Sequence, residues 1–194
     1  MPVSKLDLWI FWAGAAAYGL AVLAARLESR DTGGGARSRR SVAGILLQAL
    51  GFALAGIGRV DLSLRPDDLR SIIAGVIVAL LLLNGAALFR WSSLTMGRNW
   101  SLVARMRADH ELVTTGPFAV VRHPIYVSML LFLLALAVAT GHYLQLLWAV
   151  PVFAIGTRIR IVEEEKLLRA AFGPAFDDYA RRTGALFPRI GRGR

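Results

Sequence analysis

Four long stretches without a formal charge constrain this chain more than any other feature: residues 8–25, 41–58, 71–89 and 125–157. A helix of 18 or 19 residues rises about 27–29 Å, just enough to cross a hydrocarbon layer of about 30 Å. The first three stretches therefore read as membrane spans. The fourth is divided by Thr140-Gly141-His142 into two arms of about 15 residues, each rising only about 22 Å. It reads as a tight helical hairpin, tilted or not fully spanning, with Pro151 bending its second arm. The expected fold class is an all-α integral membrane protein with five transmembrane helices, three spans plus the hairpin, and a cytoplasmic C-terminal helical region. The expected organisation is a single membrane domain over 1–194. Residues 1–89 supply the three spans and 90–194 the functional core, with the hairpin at 124–157 and the tail at 158–194. Lys5 precedes the first span but no convincing small-residue cleavage site follows it, so that span is expected to be retained.

Charge sets the expected orientation. Of 23 Lys and Arg, 19 lie in 26–40, 90–124 and 157–194, the segments that alternation puts on one side. The positive-inside rule makes that side cytoplasmic and the N-terminus external. The net charge of +10 then falls entirely where anionic headgroups sit, so membrane lipids, not nucleic acid, are the expected partners. Hydrophobic residues make up 56% of the chain, too many for an ordinary soluble domain. With no cysteine there is no disulfide framework, thiolate metal site or cysteine nucleophile. Within the spans, Gln48 and Asn84 are expected to hydrogen-bond between helices, and the small residues Gly44, Gly51, Ala55 and Gly58 to favour close packing.

The chemistry-bearing residues collect at the ends of the hairpin. Arg122-His123-Pro124-Ile125-Tyr126 sits against its first arm, and Arg160-Ile161-Val162-Glu163-Glu164-Glu165 follows its second. Ionisable groups beside hydrocarbon are functional candidates by default. Arg122 also admits a plainer reading as a headgroup anchor. Pro124 suits the first helical position, and a helix start presents free N–H groups and a positive dipole end to anionic groups. Arg160 and Glu164, four apart, share a helix face, and Glu163 lies close by. A hairpin returns both its ends to one membrane face, so these two sets should be neighbours. Further along, Gly173 and Pro174 separate two helices, and Phe172, Phe176, Tyr179 and Phe187 are expected to pack the tail against the hairpin.

In order along the chain come Gly97-x-Asn99-Trp100-Ser101, His110-x-Leu112-Val113-x-x-Gly116, Arg122-His123-Pro124-x-Tyr126, Glu163-Glu164-Glu165-x-Leu167-Leu168, Phe172-Gly173, Tyr179 and Leu186-Phe187-Pro188. This series resembles the isoprenylcysteine carboxyl methyltransferase family, within a wider group that includes phospholipid N-methyltransferases. The match spans roughly residues 90–190. The resemblance implies a methyltransferase dependent on S-adenosyl-L-methionine, bound on the cytoplasmic side. It implies that His110, Glu111, Leu112, Val113, Phe118, His123, Pro124, Ile125, Tyr126, Glu163 and Glu164 hold the cofactor, that Arg160 touches the acceptor, and that Arg160 and Glu164 carry the chemistry. Where the family commonly has tyrosine, Phe118 keeps the aromatic face and loses the hydroxyl. In-line methyl transfer needs no metal and no covalent enzyme intermediate; proximity, alignment and water exclusion do most of the work. A guanidinium at position 160 favours a carboxylate acceptor, already ionised at neutral pH, over an amine that must first lose a proton. The expected acceptor is lipid-like or prenylated and enters from the bilayer. A phospholipid amine or a thiol is the alternative within the same fold. A nicotinamide-dependent sterol-type reductase and a non-enzymatic scaffold are less favoured: the first is typically larger, and the second leaves the His/Arg/Glu group without a purpose. Abundant Ala, Arg, Gly and Leu point to a prokaryotic cell membrane.

Overall fold

A computed structural model describes residues 1–28, 36–37, 39–97, 100, 105–106 and 111–189. Five long helices carry the fold. Helix α1 spans Lys5–Glu28, α2 Arg39–Gly56, α3 Leu69–Met96, α4 Pro124–Ala139 and α5 Leu146–Phe172, and a short α6 covers Pro174–Arg182. Two-residue strands, β1 (Ala36–Arg37) and β2 (Arg105–Met106), form one antiparallel pair and are the only departure from helix and turn in regular structure among the described residues. The fold is all-α and of membrane type. Helices α1 and α3, and the segment Tyr143–Phe172, are long and apolar enough to cross a membrane, while α2 and α4 are shorter apolar helices.

Local chemistry sets the helix starts. Ser4 and Asp7 form a reciprocal cap on α1: the Ser4 N–H donates to Asp7 Oδ2 at 2.8 Å, and the Asp7 N–H to Ser4 Oγ at 3.2 Å. The Ser71 hydroxyl, from the first turn of α3, donates to Ser4 Oγ at 2.6 Å, locking two helix starts together. Asp68 caps α3 by accepting from the Arg70 N–H at 2.8 Å. Between α4 and α5 the chain reverses through Gly141, whose φ of 73° and proximity to Met1 leave no room for a side chain: an added Cβ would lie 2.1 Å from the Met1 carbonyl oxygen.

The helix ends sort into two faces. On one, the Val3 N–H donates to Asp61 O at 2.8 Å and Gln145 bonds Ile57 O, so the start of α1, the α2–α3 loop and the α4–α5 turn meet. On the other, Arg90 grips Glu28 with two hydrogen bonds of 2.7 and 2.8 Å, and here the approach to α4 and the charged half of α5 emerge. Large apolar side chains such as Leu20, Leu46, Leu83 and Leu147 cover the outside, as a lipid-facing surface requires.

The hairpin is not tight. Its arms make few contacts with each other; α4 lies against α3, and α5 against α2. The cause is the distribution of small residues. Gly44 and Gly51 on α2 face Gly156 and Ala149 on α5, so those backbones approach closely. Meanwhile Phe132 on α4 packs edge-on against Phe11, Tyr18 and Phe52, which turns that face of α4 towards α1 and α2. The second arm does not stop at 157 either. Helix α5 runs unbroken for 27 residues, about 40 Å, through the apolar segment and the Arg/Glu cluster alike, with Pro151 inside it. Gln48 bonds between helices as its polarity predicts. Asn84 does not: its side chain is exposed, and its amide donates to Leu80 O of its own helix at 2.8 Å. Nothing in an 18-residue apolar pattern distinguishes the two positions; only the packing partner of each face does.

Candidate active site

The segment leading into α4 is built to present Arg122 and His123. After a 3-10 turn over Gly116–Ala119, Val121 makes an isolated bridge to Gly184. The Arg122 N–H then donates to Gly184 O at 2.8 Å, and the His123 N–H to Ala185 O at 3.0 Å. The stretch after α6 thus returns as a strap alongside the entrance to α4. That strap takes up the N–H groups of Arg122 and His123, so these two backbone donors are not free for a ligand. Helix α6 is held by Phe176 and Tyr179, both buried; the Tyr179 hydroxyl donates to Phe118 O at 2.7 Å. Burial pushes the Tyr179 phenol up to about 12, so it stays a donor. Phe187 does not join this packing. Its ring is 75% exposed, because its backbone carbonyl turns in against Gly184 and the side chain is left outside.

Across from this entrance, one turn of α5 carries Arg160, Glu164 and Glu165. His123 is 7% exposed and lies between the two carboxylates, Nδ1 at 3.5 Å from Glu164 Oε2 and Nε2 at 3.1 Å from Glu165 Oε1. Arg122 reaches the same Glu165 oxygen from Nε at 2.9 Å and Nη2 at 2.8 Å, and donates from Nη1 to the carbonyls of Ala180 and Thr183. The Tyr126 hydroxyl donates to Glu164 Oε1, and Arg160 Nη2 approaches that oxygen at 3.5 Å. The Arg160 guanidinium lies over the Tyr126 ring, 5.1 Å from its centroid, and the His123 and Tyr126 rings stack with centroids 5.8 Å apart.

Charge alternates along this chain of contacts: Arg122, Glu165, His123, Glu164, Arg160. Burial alone disfavours a charged His123, but the facing Glu164 and Glu165 carboxylates outweigh it and hold the imidazole above its ordinary pKa. Its cationic form donates from both nitrogens, one to each glutamate. A buried charge network of this kind is costly to assemble and costlier to break in part. Arg122 is therefore an internal tie between α5 and the returning strap, not a headgroup anchor.

Of the residues expected at the site, His123, Tyr126, Arg160 and Glu164 meet in one cluster, with Pro124 and Ile125 forming the first turn of α4 beside it. Glu163 points to the flank, where Lys166 Nζ lies 3.0 Å away. Glu111 is exposed and Leu112 and Val113 half-buried in a segment without regular structure, and Phe118 is buried in the 3-10 turn. His110 lies outside the described residues, as do Asn99 and Ser101. Two members were missed. Glu165 is flagged in sequence only by its place in a run of three acids, and Gln48 by nothing that reaches beyond its own helix. Among the described residues no group of three or more His, Cys, Asp or Glu side chains could hold a metal ion.

A model of the phospholipid methyltransferase family matches residues 73–175, more than half of the chain. The chain belongs to that family. The matched range holds α3 from residue 73 onward, all of α4 and α5, and Arg122, His123, Tyr126, Arg160, Glu164 and Glu165, while α1 and α2 lie outside it. The chain is 41% identical over 97 residues to the nickel-cobalt-cadmium resistance protein NccN of Alcaligenes xylosoxydans xylosoxydans, covering 50% of this chain and 45% of that protein. It is 40% identical over 97 residues to the cobalt-zinc-cadmium resistance protein CzcN of Cupriavidus metallidurans, covering 50% and 44%. It is 30% identical over 90 residues to the protein-S-isoprenylcysteine O-methyltransferase of Schizosaccharomyces pombe, covering 46% and 38%. The chain thus spans less than half the length of these relatives.

Proposed function

We propose that this protein is a membrane methyltransferase that uses S-adenosyl-L-methionine to methylate the carboxylate of a hydrophobic, lipid-like acceptor. The observation that carries the reading is the convergence of Arg160, Tyr126, Glu164 and His123 at one membrane face, where α4 begins and the charged half of α5 emerges. The donor set fits such a cofactor: two carboxylates suit a ligand bearing an ammonium and a sulfonium, and stacked aromatic faces suit its cationic and ring portions. In this reading His123, Pro124, Ile125, Tyr126 and Glu164 hold the cofactor, with Glu111, Leu112, Val113, Phe118 and Glu163 as further lining and His110 as a contributor from sequence. When bound, the cofactor supplies a methyl group on a positively charged sulfur.

The remaining work belongs to the protein. Arg160 orients the acceptor carboxylate by its planar fork and offsets the desolvation of that charge. Tyr126 presents a ring face between Arg160 and His123 and keeps Glu164 aimed inward. Helix packing excludes water, so a carboxylate nucleophile keeps its reactivity. The acceptor carboxylate is ionised at neutral pH and calls for no general base. The acceptor enters from the bilayer, and the polytopic chain lies with residues 90–124 and 157–194 cytoplasmic. The isoprenylcysteine methyltransferase named among the relatives supports a prenylated carboxylate as the first acceptor to try.

The test is chemical. Purified protein is incubated with methyl-labelled cofactor and N-acetyl-S-farnesylcysteine or membrane lipid extract. The expected product is a methyl ester that mild base cleaves to volatile labelled methanol. Arg160→Lys should impair transfer far more than cofactor binding. A base-stable product would overturn the carboxylate assignment in favour of a phospholipid amine or a thiol; no transfer to any fraction would overturn the methyltransferase reading.

A further inference from the structure

Arg160 is 7% exposed, so its guanidinium is enclosed by the protein. It packs beside Gln48, nine residues along α2 from Arg39. A guanidinium so buried needs partners for its donors. Arg160 Nη1 donates to Gln48 Oε1 at 3.2 Å. The other end of the same amide is committed as well: Gln48 Nε2 donates to Thr157 Oγ1 at 2.9 Å. Gln48 is 2% exposed and Thr157 1%. The amide therefore bridges two residues one turn apart on α5, and its orientation follows from them, since only the oxygen can accept from arginine.

The backbone is shaped to allow this bridge. An added Cβ on Gly44 would lie 2.5 Å from Arg160 Cγ and 2.8 Å from Gly156 O, and one on Gly156 would lie 2.7 Å from Gly44 O. Glycine on both helices lets α2 and α5 touch, lays the aliphatic stem of Arg160 against Gly44, and brings Gln48, one turn further along α2, within reach of the guanidinium. On its remaining sides that guanidinium meets the Tyr126 ring and Glu164.

We propose that Gln48 is a positioning residue for the methyl acceptor: it fixes the plane of the Arg160 guanidinium over Tyr126, so that the carboxylate-binding edge is aimed before the acceptor arrives. This rests on the assignment of Arg160 to the acceptor. It extends the working site to α2, outside the range that matches the family, and makes α2 a determinant of acceptor recognition. A mobile arginine would lose side-chain freedom each time an acceptor binds; a clamped one has lost it already.

The experiment uses the full chain in detergent, with S-adenosyl-L-methionine and N-acetyl-S-farnesylcysteine as probes, and compares Gln48→Leu, Gln48→Glu and Arg160→Lys. Gln48→Leu should lower kcat/KM for the acceptor by about tenfold or more, the size expected for losing a hydrogen bond to a charged group. Cofactor affinity should stay within about twofold. Gln48→Glu should recover most of the loss, because a carboxylate accepts from Arg160 in the same place and the Thr157 hydroxyl can turn to donate. A role in helix packing alone predicts something else: both variants lowering thermal stability and cofactor affinity together. The second measurement needs no turnover. Nitrogen-15 spectra of the arginine side chains should show restricted rotation of the Arg160 Nη groups in the unaltered protein and faster rotation in Gln48→Leu. Unchanged Arg160 signals in Gln48→Leu, or unchanged acceptor kinetics in that variant while Arg160→Lys is impaired, would overturn the proposal. Arg160→Lys at full rate would instead overturn the acceptor assignment on which it stands.

Discussion

Gly44→Ala is the sharpest single test of how α2 and α5 meet. The added methyl carbon would sit 2.5 Å from Arg160 Cγ and 2.8 Å from the Gly156 carbonyl oxygen, whereas ordinary contact begins near 3.4 Å. The arginine stem can swing aside; the backbone oxygen cannot. Relief therefore needs α5 to withdraw locally by about 0.6 Å, the shortfall against that oxygen. The same displacement would carry the 3.2 Å Arg160–Gln48 hydrogen bond to about 3.8 Å, beyond useful range. Overpacking of this kind costs about 1–3 kcal/mol. Gly51→Ala, with 2.9 Å to Phe153 Cβ and 3.1 Å to Ala149 O, should cost less. Gly19→Ala meets nothing within 4 Å and should be neutral or gain about 0.5–1 kcal/mol from helix propensity. Thermal unfolding of the three variants in detergent, followed by tryptophan fluorescence, should rank them Gly44, Gly51, Gly19 from least to most stable. If Gly44→Ala melts with Gly19→Ala, the close α2–α5 approach is wrong, and with it the geometry assigned to Gln48.

Three further outcomes are expected. The raised pKa of His123 means that its ion pairs with Glu164 and Glu165 contribute in full below the unfolded value of about 6.5 and fade as pH climbs through the folded value; Arg122 and Tyr126 complete its charged and titratable surroundings. Unfolding temperature should therefore drop between neutral and alkaline pH, and His123→Gln should flatten that dependence; an equal drop in the variant would assign it to another group. Arg122→Ala leaves the near-buried Glu165 carboxylate short of a partner and removes the tie to Ala180 and Thr183, so it should cost about 3–5 kcal/mol and speed proteolysis after α6; a tail as protease-resistant as before would refute the strap. Single cysteines introduced at Ser63 and Ser101 should label from opposite sides of sealed membranes, with Ser63 external; labelling from one side would discard the orientation.

Much of the fold is legible in the residue pattern because lipid makes hydrophobicity nearly one-dimensional. A helix must satisfy its own backbone in hydrocarbon, so three uncharged runs and a divided fourth predict α1, α2, α3 and the α4–α5 pair directly. The turn at Gly141 and the start of α4 at Pro124 are equally local, set by backbone conformation. Half the site shares this legibility: His123 and Tyr126 flank one helix start, Arg160 and Glu164 lie four apart, and a chain reversal must bring the two ends to one face.

Which helix faces which is a different kind of question. Gln48 and Asn84 look alike in sequence, each a lone amide in an apolar span, yet one clamps Arg160 and the other bonds its own helix on the outer surface. Helix α5 lies closest to α2 because glycines on α2 admit it, while Phe132 turns a face of α4 towards α1 and α2. Arg122 looks like a surface anchor until the strap after α6 and the Glu165 carboxylate enclose it. Chain composition alone determined that these residues enter a membrane as helices, since that preference is a sum over each segment's own atoms. Their partners were decided by tertiary structure, because close packing and buried charge depend on steric fit and geometry between segments far apart in the chain, which no local pattern encodes.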